Sequence, residues 1–280
     1  MKPFALTFRC MFLAMLAFTL SGCFESRLNT EGLCNSNPSL ECEQLNINDG
    51  KCRVQRTDLI WHRYDMLKKP DDLKLITEYE MLADYQRCLT LAAQIRALKT
   101  TAQSQNRFNA LQYSYNEQKR LTAVMQEIDN PYIYYFLWTH GDDYAKRKFL
   151  QLEPTGQLDT PTLQYYLATY YSNRDPEHTL AILNKALDLT DSDNVDNRII
   201  QSLATIHQTA GNIEMAYMWA IVGRSFKLPV SDDRTLAVYY SFNEQKKAFL
   251  DQKAAEIVTH LQKGTYSTTL LPSQSYLQSL

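Results

Sequence analysis

Six cysteines, five histidines and two acidic clusters are the residues of this 280-residue chain whose chemistry can be tested by spacing. Cys10, Cys23, Cys34, Cys42, Cys52 and Cys88 all lie in the first third of the chain. Thiols at close C-x2-C spacing hold zinc, but no such pair occurs, so bridging is the better use for the later four. His62, His140, His178, His207 and His260 are scattered. The densest ligand set is "THGDD", with His140, Asp142 and Asp143. One corner supplies few ligands, and the same residues make a helix–turn–helix corner in which Gly141 turns and an Asp caps the next helix. "DSDNVDN", residues 191–197, lacks the glycine and terminal glutamate of a calcium loop and reads as a solvated acidic loop. H-E-x-x-H, G-x-S-x-G and G-x-x-x-x-G-K are all missing from the sequence. We therefore assign no catalytic residue, no metal and no cofactor from sequence.

Cys23 has a different context. Lys2 and Arg9 precede the apolar run "CMFLAMLAFTL", which exits through Ser21 and Gly22. A basic start, a short apolar run and small residues describe a secretory signal peptide over residues 1–22. The run falls short of the roughly 20 apolar residues that a membrane span needs. "LSGC", Leu20 to Cys23, resembles the lipobox of bacterial lipoproteins. The resemblance implies cleavage before Cys23, acylation of its thiol and new amino group, and anchoring in a lipid bilayer. In that family an Asp after the cysteine often retains the protein in the inner membrane. Phe24 stands there instead, which implies the outer membrane, facing the periplasm. Cleavage removes Lys2 and Arg9, so the formal net charge moves from −2 to −4. That balance does not suggest nucleic acid as a partner.

With Cys10 and Cys23 set aside, Cys34, Cys42, Cys52 and Cys88 remain, an even number in an oxidising compartment. Four cysteines allow three connectivities. Cys34–Cys42 with Cys52–Cys88 is preferred, because the first pair closes the Pro38-bearing turn in "CNSNPSLEC". The alternative leaves Cys88 a buried free thiol on a helix. Residues 23–57 read as a lipidated tether and a disulfide-pinned loop region, punctuated by "NSNPS" and "NINDGK".

The elements that would position any site are helices. Thr57 or Asp58 can cap "DLIWHRYDMLKK", which Pro70 stops. Leu75, Tyr79, Leu82, Leu89 and Ala93 make one apolar face, and Phe108, Leu111, Tyr115, Thr122, Met125 and Ile128 another. Thr160-Pro161 and Asp175-Pro176 each place a capping side chain before a first-turn proline. Asn212, Asp232 and Asn243 can open further helices, and Gly264 suits a helix C-terminus. No alternating strand of useful length is evident, and glycine, 8 in 280, lies well below the usual share of about 7%. The expected class is all-α, with an N-terminal helical part over 58–155, helical hairpins over 156–263 and a tail over 264–280. The tail is either disordered or docked through Leu270 and Leu271.

The hairpin region repeats. Leu167-Ala168-Thr169 matches Leu203-Ala204-Thr205, 36 positions on. The second copy resembles a tetratricopeptide (TPR) repeat: Leu203, Ala204 and His207 stand at its first-helix positions, Gly211 at its turn, and Ala216 and Ala220 at its second-helix positions. His207 departs from the usual Tyr, and Gly223 from the usual Ala. The resemblance implies helical hairpins stacked as a TPR-like α-solenoid. The whole chain is also similar to lipoproteins known only as domains of unknown function.

Eighteen tyrosines concentrate in "PYIYYFLW", "QYYLATYY" and "VYYSF", on first helices of hairpins. A ring with a hydroxyl serves either a packed core or a grip on a partner. Tyr134, Tyr166, Tyr170, His207 and Tyr240 are the candidate binding-groove residues. The expected role is a scaffold or adaptor for an envelope protein partner. The competing readings are an envelope hydrolase, which needs converging carboxylates or histidines in a pocket, and a small-ligand carrier, which needs an apolar cavity.

Overall fold

A computed structural model of the chain describes residues 29–94, 101–192 and 194–280. The segment 1–22, the LSGC motif and Cys23 lie outside the described residues. Among the described residues every regular element is helical. The chain forms two compact units, Met1–Thr122 and Ala123–Leu280.

The first unit opens on α1 (Thr30–Ser36), whose cap Asn29 accepts the Gly32 N–H at 2.7 Å. Two tight turns, Pro38–Leu40 and Cys42–Leu45, lead to α2 (Arg53–Lys68), α3 (Lys74–Gln94) and α4 (Thr101–Gln126). Disulfides join Cys34 to Cys42 and Cys52 to Cys88. The segment expected to be a pinned loop supplies core: Leu33, Leu40 and Leu45 are fully buried alongside Leu59, Ile60 and Tyr85. Helix α2 starts at Arg53, four residues before the expected cap at Thr57. The reason is Arg56. Its buried guanidinium donates to the carbonyls of Asn46 at 2.9 Å and Asp49 at 2.8 Å, so helix must already exist there to aim it.

Helix α4 keeps its expected face only in part: Met125 is buried as expected, and Leu111 and Thr122 are half-buried. Phe108 and Tyr115 are exposed, while the buried face carries Arg107, Ala110, Ser114 and Leu121. Apolar periodicity missed this because the face is held by charge. Arg107 pairs with Asp49 at 2.5 Å and donates to the Ala92 carbonyl at 2.9 Å. Beside it, Arg63 donates to Glu78 at 2.7 Å, to Tyr113 Oη at 2.8 Å and to Glu117 at 3.2 Å. On α3, Leu82 and Leu89 are core as expected, but Ala93 is exposed and Glu78 and Gln86 are buried.

The second unit is a stack of hairpins: α5 (Pro131–Thr139) with α6 (Asp143–Gln151), α7 (Pro161–Tyr171) with α8 (Pro176–Asp188), and α9 (Asn197–Thr209) with α10 (Ile213–Ser225). Short α11 (Asp233–Tyr239) and long α12 (Glu244–Gln262) follow, and α12 packs on α10. Successive hairpins touch through α5 and α7 and through α8 and α9. Asn130, Thr160, Asp175, Asp232 and Asn243 all cap, each side-chain oxygen accepting a first-turn N–H. Prolines 131, 161 and 176 occupy first positions, where a missing N–H costs nothing. Asp142 caps α6, so the THGDD corner is a turn and a cap. Asn212 stands at the start of α10 but its side chain makes no capping bond.

In the TPR-like hairpin, Leu203, His207 and Ala216 are buried and Gly211 turns at φ +75°. A β-carbon on Gly223 would lie 3.1 Å from Leu228 Cδ1 but at an ordinary 3.6 Å from Ile200 Cγ2, so glycine makes room chiefly for Leu228. A β-carbon on Gly211 would meet nothing within 4 Å. Gly211→Ala should therefore cost only the left-handed backbone penalty, about 1–2 kcal/mol, read as a lowered urea midpoint for the second unit. A neutral substitution would show that the corner relaxes to another turn.

The tail docks: the turn that ends at Leu270 touches α8 and α12, and the deepest burial falls on other residues. Tyr266 and Leu277 are buried, whereas Leu270 and Leu271 are half-buried. Tyr266 donates its hydroxyl to Asn184 Oδ1 at 2.7 Å, and burial raises its pKa. A last helix, α13 (Gln274–Ser279), puts Tyr276 against Phe249, ring centroids 5.0 Å apart.

Candidate functional site

The first helices of two neighbouring hairpins share an aromatic face. On α5, Ile133, Tyr134, Phe136 and Leu137 turn into the core. Tyr132, Tyr135 and Trp138, three apart, are thereby left half-buried along the flank. On α7, Leu163, Leu167 and Ala168 are core, and Tyr165, Tyr166 and Tyr170 are half-buried. The two rows meet. Tyr135 and Tyr166 stack with centroids 3.8 Å apart and planes 4° from parallel. Tyr132 meets the Tyr166 edge at 6.5 Å, and Trp138 meets Tyr170 at 5.7 Å. Each such pair is worth about 0.5–1.5 kcal/mol beyond area burial, so the strip is a stiff platform.

Cations lie on this platform. The Arg198 guanidinium sits 4.5 Å from the Tyr165 ring and 6.0 Å from Tyr166, and pairs with Asp196 at 2.6 Å. Lys146 Nζ sits 5.4 Å from the Tyr170 ring and 6.0 Å from Trp138. Arg174 lies 4.4 Å from the same Tyr170 ring. Burial raises the Tyr166 pKa, which keeps its hydroxyl protonated.

Next to Tyr170, Glu153 is held between two donors. Tyr171 Oη donates to Glu153 Oε2 at 2.7 Å, and His178 Nε2 lies 2.7 Å from Glu153 Oε1. Burial and the neighbouring carboxylate push the Tyr171 phenol up to about 12. Both carboxylate oxygens are engaged internally, while the His178 and Glu153 side chains remain 41% and 25% exposed.

Of the five groove residues expected from sequence, the structure brings together two, Tyr166 and Tyr170. Tyr134 is core: its ring is buried, its hydroxyl donates to Asp129 at 2.8 Å, and burial pushes its pKa to about 12. His207 is also core, 7% exposed, with its pKa pushed down to about 4 by burial. Its Nδ1 and the Trp219 Nε1 have no hydrogen-bond partner among the described residues. Tyr240 belongs to a separate cluster with Tyr217 and Phe242 and donates to Gln208 at 2.7 Å. Sequence reasoning missed Tyr132, Tyr135 and Trp138. The signal was available, since placing Ile133, Phe136 and Leu137 inward rotates these three to the flank.

Elsewhere, a broad concavity of about 1290 Å³ in the first unit is walled by polar and apolar side chains alike, among them Thr30, Glu41, Asp58, Pro38, Ile47 and Val54. Among the described residues no group of three or more His, Cys, Asp or Glu is arranged to hold a metal ion. Among the same residues no helix is long and apolar enough to cross a membrane.

The molecule is thus an all-α protein of stacked helical hairpins, with a disulfide-stapled first unit and an aromatic face on the second. The sequence profile of the family described as "Protein of unknown function (DUF2989)" matches residues 20–221, well over half the chain, and the chain belongs to that family. No curated protein and no solved structure matches it.

Proposed function

We propose that this protein is an acylated envelope lipoprotein, held at the periplasmic face of the outer membrane through Cys23, that binds a protein partner on the aromatic face of its second unit. The observation that carries the reading is the ring strip on α5 and α7. Six half-buried aromatic side chains contributed by two separate hairpins form one rigid, partly apolar surface, the composition that interface anchors share. The apolar run and LSGC motif support the anchor, and the two disulfides fit an oxidising compartment. A tether at the membrane and a platform on the repeat make an adaptor.

The test is crosslinking in cells of the tagged protein, followed by purification and mass spectrometry. Tyr166→Ala is expected to cut capture of the partner at least tenfold while circular dichroism stays unchanged, because the central stacked ring of the strip is lost. A Cys23→Ala control should release the protein from membranes. Undiminished capture by Tyr166→Ala would overturn the face, and membrane retention by Cys23→Ala would overturn the anchor.

A further inference from the structure

The two ends of the aromatic strip differ in charge compensation. At the Tyr165–Tyr166 end, Arg198 is neutralised by Asp196. At the Trp138–Tyr170 end, Lys146 and Arg174 both lie over one ring, and among the described residues neither has a carboxylate within ion-pair distance. Of the nearby acids among the described residues, exposed Asp143 and Glu177 make no ion pair to either cation, and three others are engaged by other groups. Asp142 accepts the Tyr144 and Ala145 N–H groups on one oxygen and Gln126 on the other. Glu153 takes Tyr171 and His178, and Asp175 caps α8.

From this asymmetry we propose that the Trp138–Tyr170 end receives an acidic peptide segment of the partner, its carboxylates going to Lys146 and Arg174 and its apolar side chains to the rings. The inference rests on the reading of the strip as a partner-binding face. Arg174 is exposed, and its guanidinium lies over the Tyr170 ring. It donates one bond to the Tyr170 carbonyl and keeps further N–H groups for a bidentate carboxylate. Lys146 adds a second charge beside the same ring. An anionic lipid surface fits less well. Such surfaces are held by clusters of about four to eight basic residues, whereas this pair sits on a chain of net charge −2.

The test selects short random peptides, displayed on phage, against the purified full chain in neutral detergent. Parallel selections use the Lys146→Gln/Arg174→Gln double variant and Tyr166→Ala. Both substituted cations are at the surface, and circular dichroism checks the fold. Peptides selected by the parent should be rich in Asp and Glu beside aromatic or aliphatic residues. They should bind the double variant about tenfold or more weakly and lose affinity as salt is raised toward about 0.3 M. Selected peptides that need Tyr166 but carry no acidic excess, or that bind the double variant equally, would sink the acidic-partner inference and leave the face standing. Peptides indifferent to Tyr166 as well, or no selection at all, would sink both. Phosphatidylglycerol vesicles, compared with phosphatidylcholine, form the last arm. Binding to them that the double variant loses, without peptide selection, would reassign the two cations to a lipid surface and overturn the proposal.

Discussion

Arg107→Ala is expected to destabilise the first unit by about 3–5 kcal/mol, the usual cost of leaving one partner of a buried ion pair alone. Arg107 is 5% exposed and Asp49 6%, and their contact is 2.5 Å. The same guanidinium donates to the Ala92 carbonyl, so truncation orphans a charge and a backbone acceptor together. The pair also sets a pH dependence. The hydrogen bond from Arg107 lowers the Asp49 pKa to about 2. A folded pKa below the unfolded value of about 3.9 means stabilisation that is complete above pH ~4 and lost as pH falls through about 2. The parent should therefore weaken across that window, and Arg107→Ala should show a flatter profile there from a lower starting point. Asp49→Ala combined with Arg107→Ala should recover part of the loss, since no charge is then stranded. Urea unfolding followed by hydrogen exchange in α2 and α3 reads all three. An Arg107→Ala protein as stable as the parent would mean that water enters and solvates Asp49.

That pair also explains where sequence reading failed. Helix caps were legible because they are local: an Asn, Asp or Thr before Pro acts within its own first turn, and Asn130, Thr160 and Asp175 do so. The hairpin repeat was legible for a similar reason, since Leu203 and Gly211 serve neighbours on adjoining helices. The phase of α4 was legible only toward its C-terminal end, at Met125. Its buried face carries Arg107 and Ser114, and only a partner 58 residues away, Asp49, makes burial of that arginine affordable. Hydrophobic periodicity instead selected Phe108 and Tyr115, which are 58% and 48% exposed. The lobe built on Leu33, Leu40 and Leu45 was hidden in the same way, because turn-rich composition conceals three leucines that the disulfides and Arg56 hold inward.

The aromatic face was half legible. Helical phase puts Tyr166 and Tyr170 on one side of α7, which the structure keeps. Phase alone does not say which side of α5 meets them, and Tyr134 was chosen where Tyr135 makes the contact. A single step of about 100° separates a core ring from a surface ring. His207 and Tyr240 lie off the strip. His207 stands at a repeat position and is nonetheless buried.

Cys52→Ser/Cys88→Ser is expected to cost about 4 kcal/mol, against about 2.5 kcal/mol for Cys34→Ser/Cys42→Ser, from the loop entropy each bridge removes from the unfolded chain. The bridges span 36 and 8 positions, and their Cα–Cα distances, 5.7 and 5.8 Å, lie within the normal range, so loop length should set the order. The longer bridge encloses all of α2 and most of α3, and with them Arg63 and Glu78. A buried ion pair is sensitive to misalignment, so the crosslink and the polar core should reinforce each other, and losses beyond the entropic figure are expected when Arg107→Ala is added. With total stability of about 5–15 kcal/mol for a typical domain, the triple variant should leave the first unit largely unfolded. Exchange in α9 and α10 should stay at the parent level, because both bridges lie in the other unit. The reverse order of the two double variants would mean that packing of Leu33, Leu40 and Leu45, rather than loop closure, is what the bridges protect. Treatment of the parent with a reductant opens both bridges and should approach the sum of the two losses, about 6.5 kcal/mol, which would tie folding of the first unit to an oxidising compartment and support export through the segment that precedes Cys23. Equal stability of the reduced and oxidised protein would remove that support, and the anchor would then rest on the LSGC motif alone.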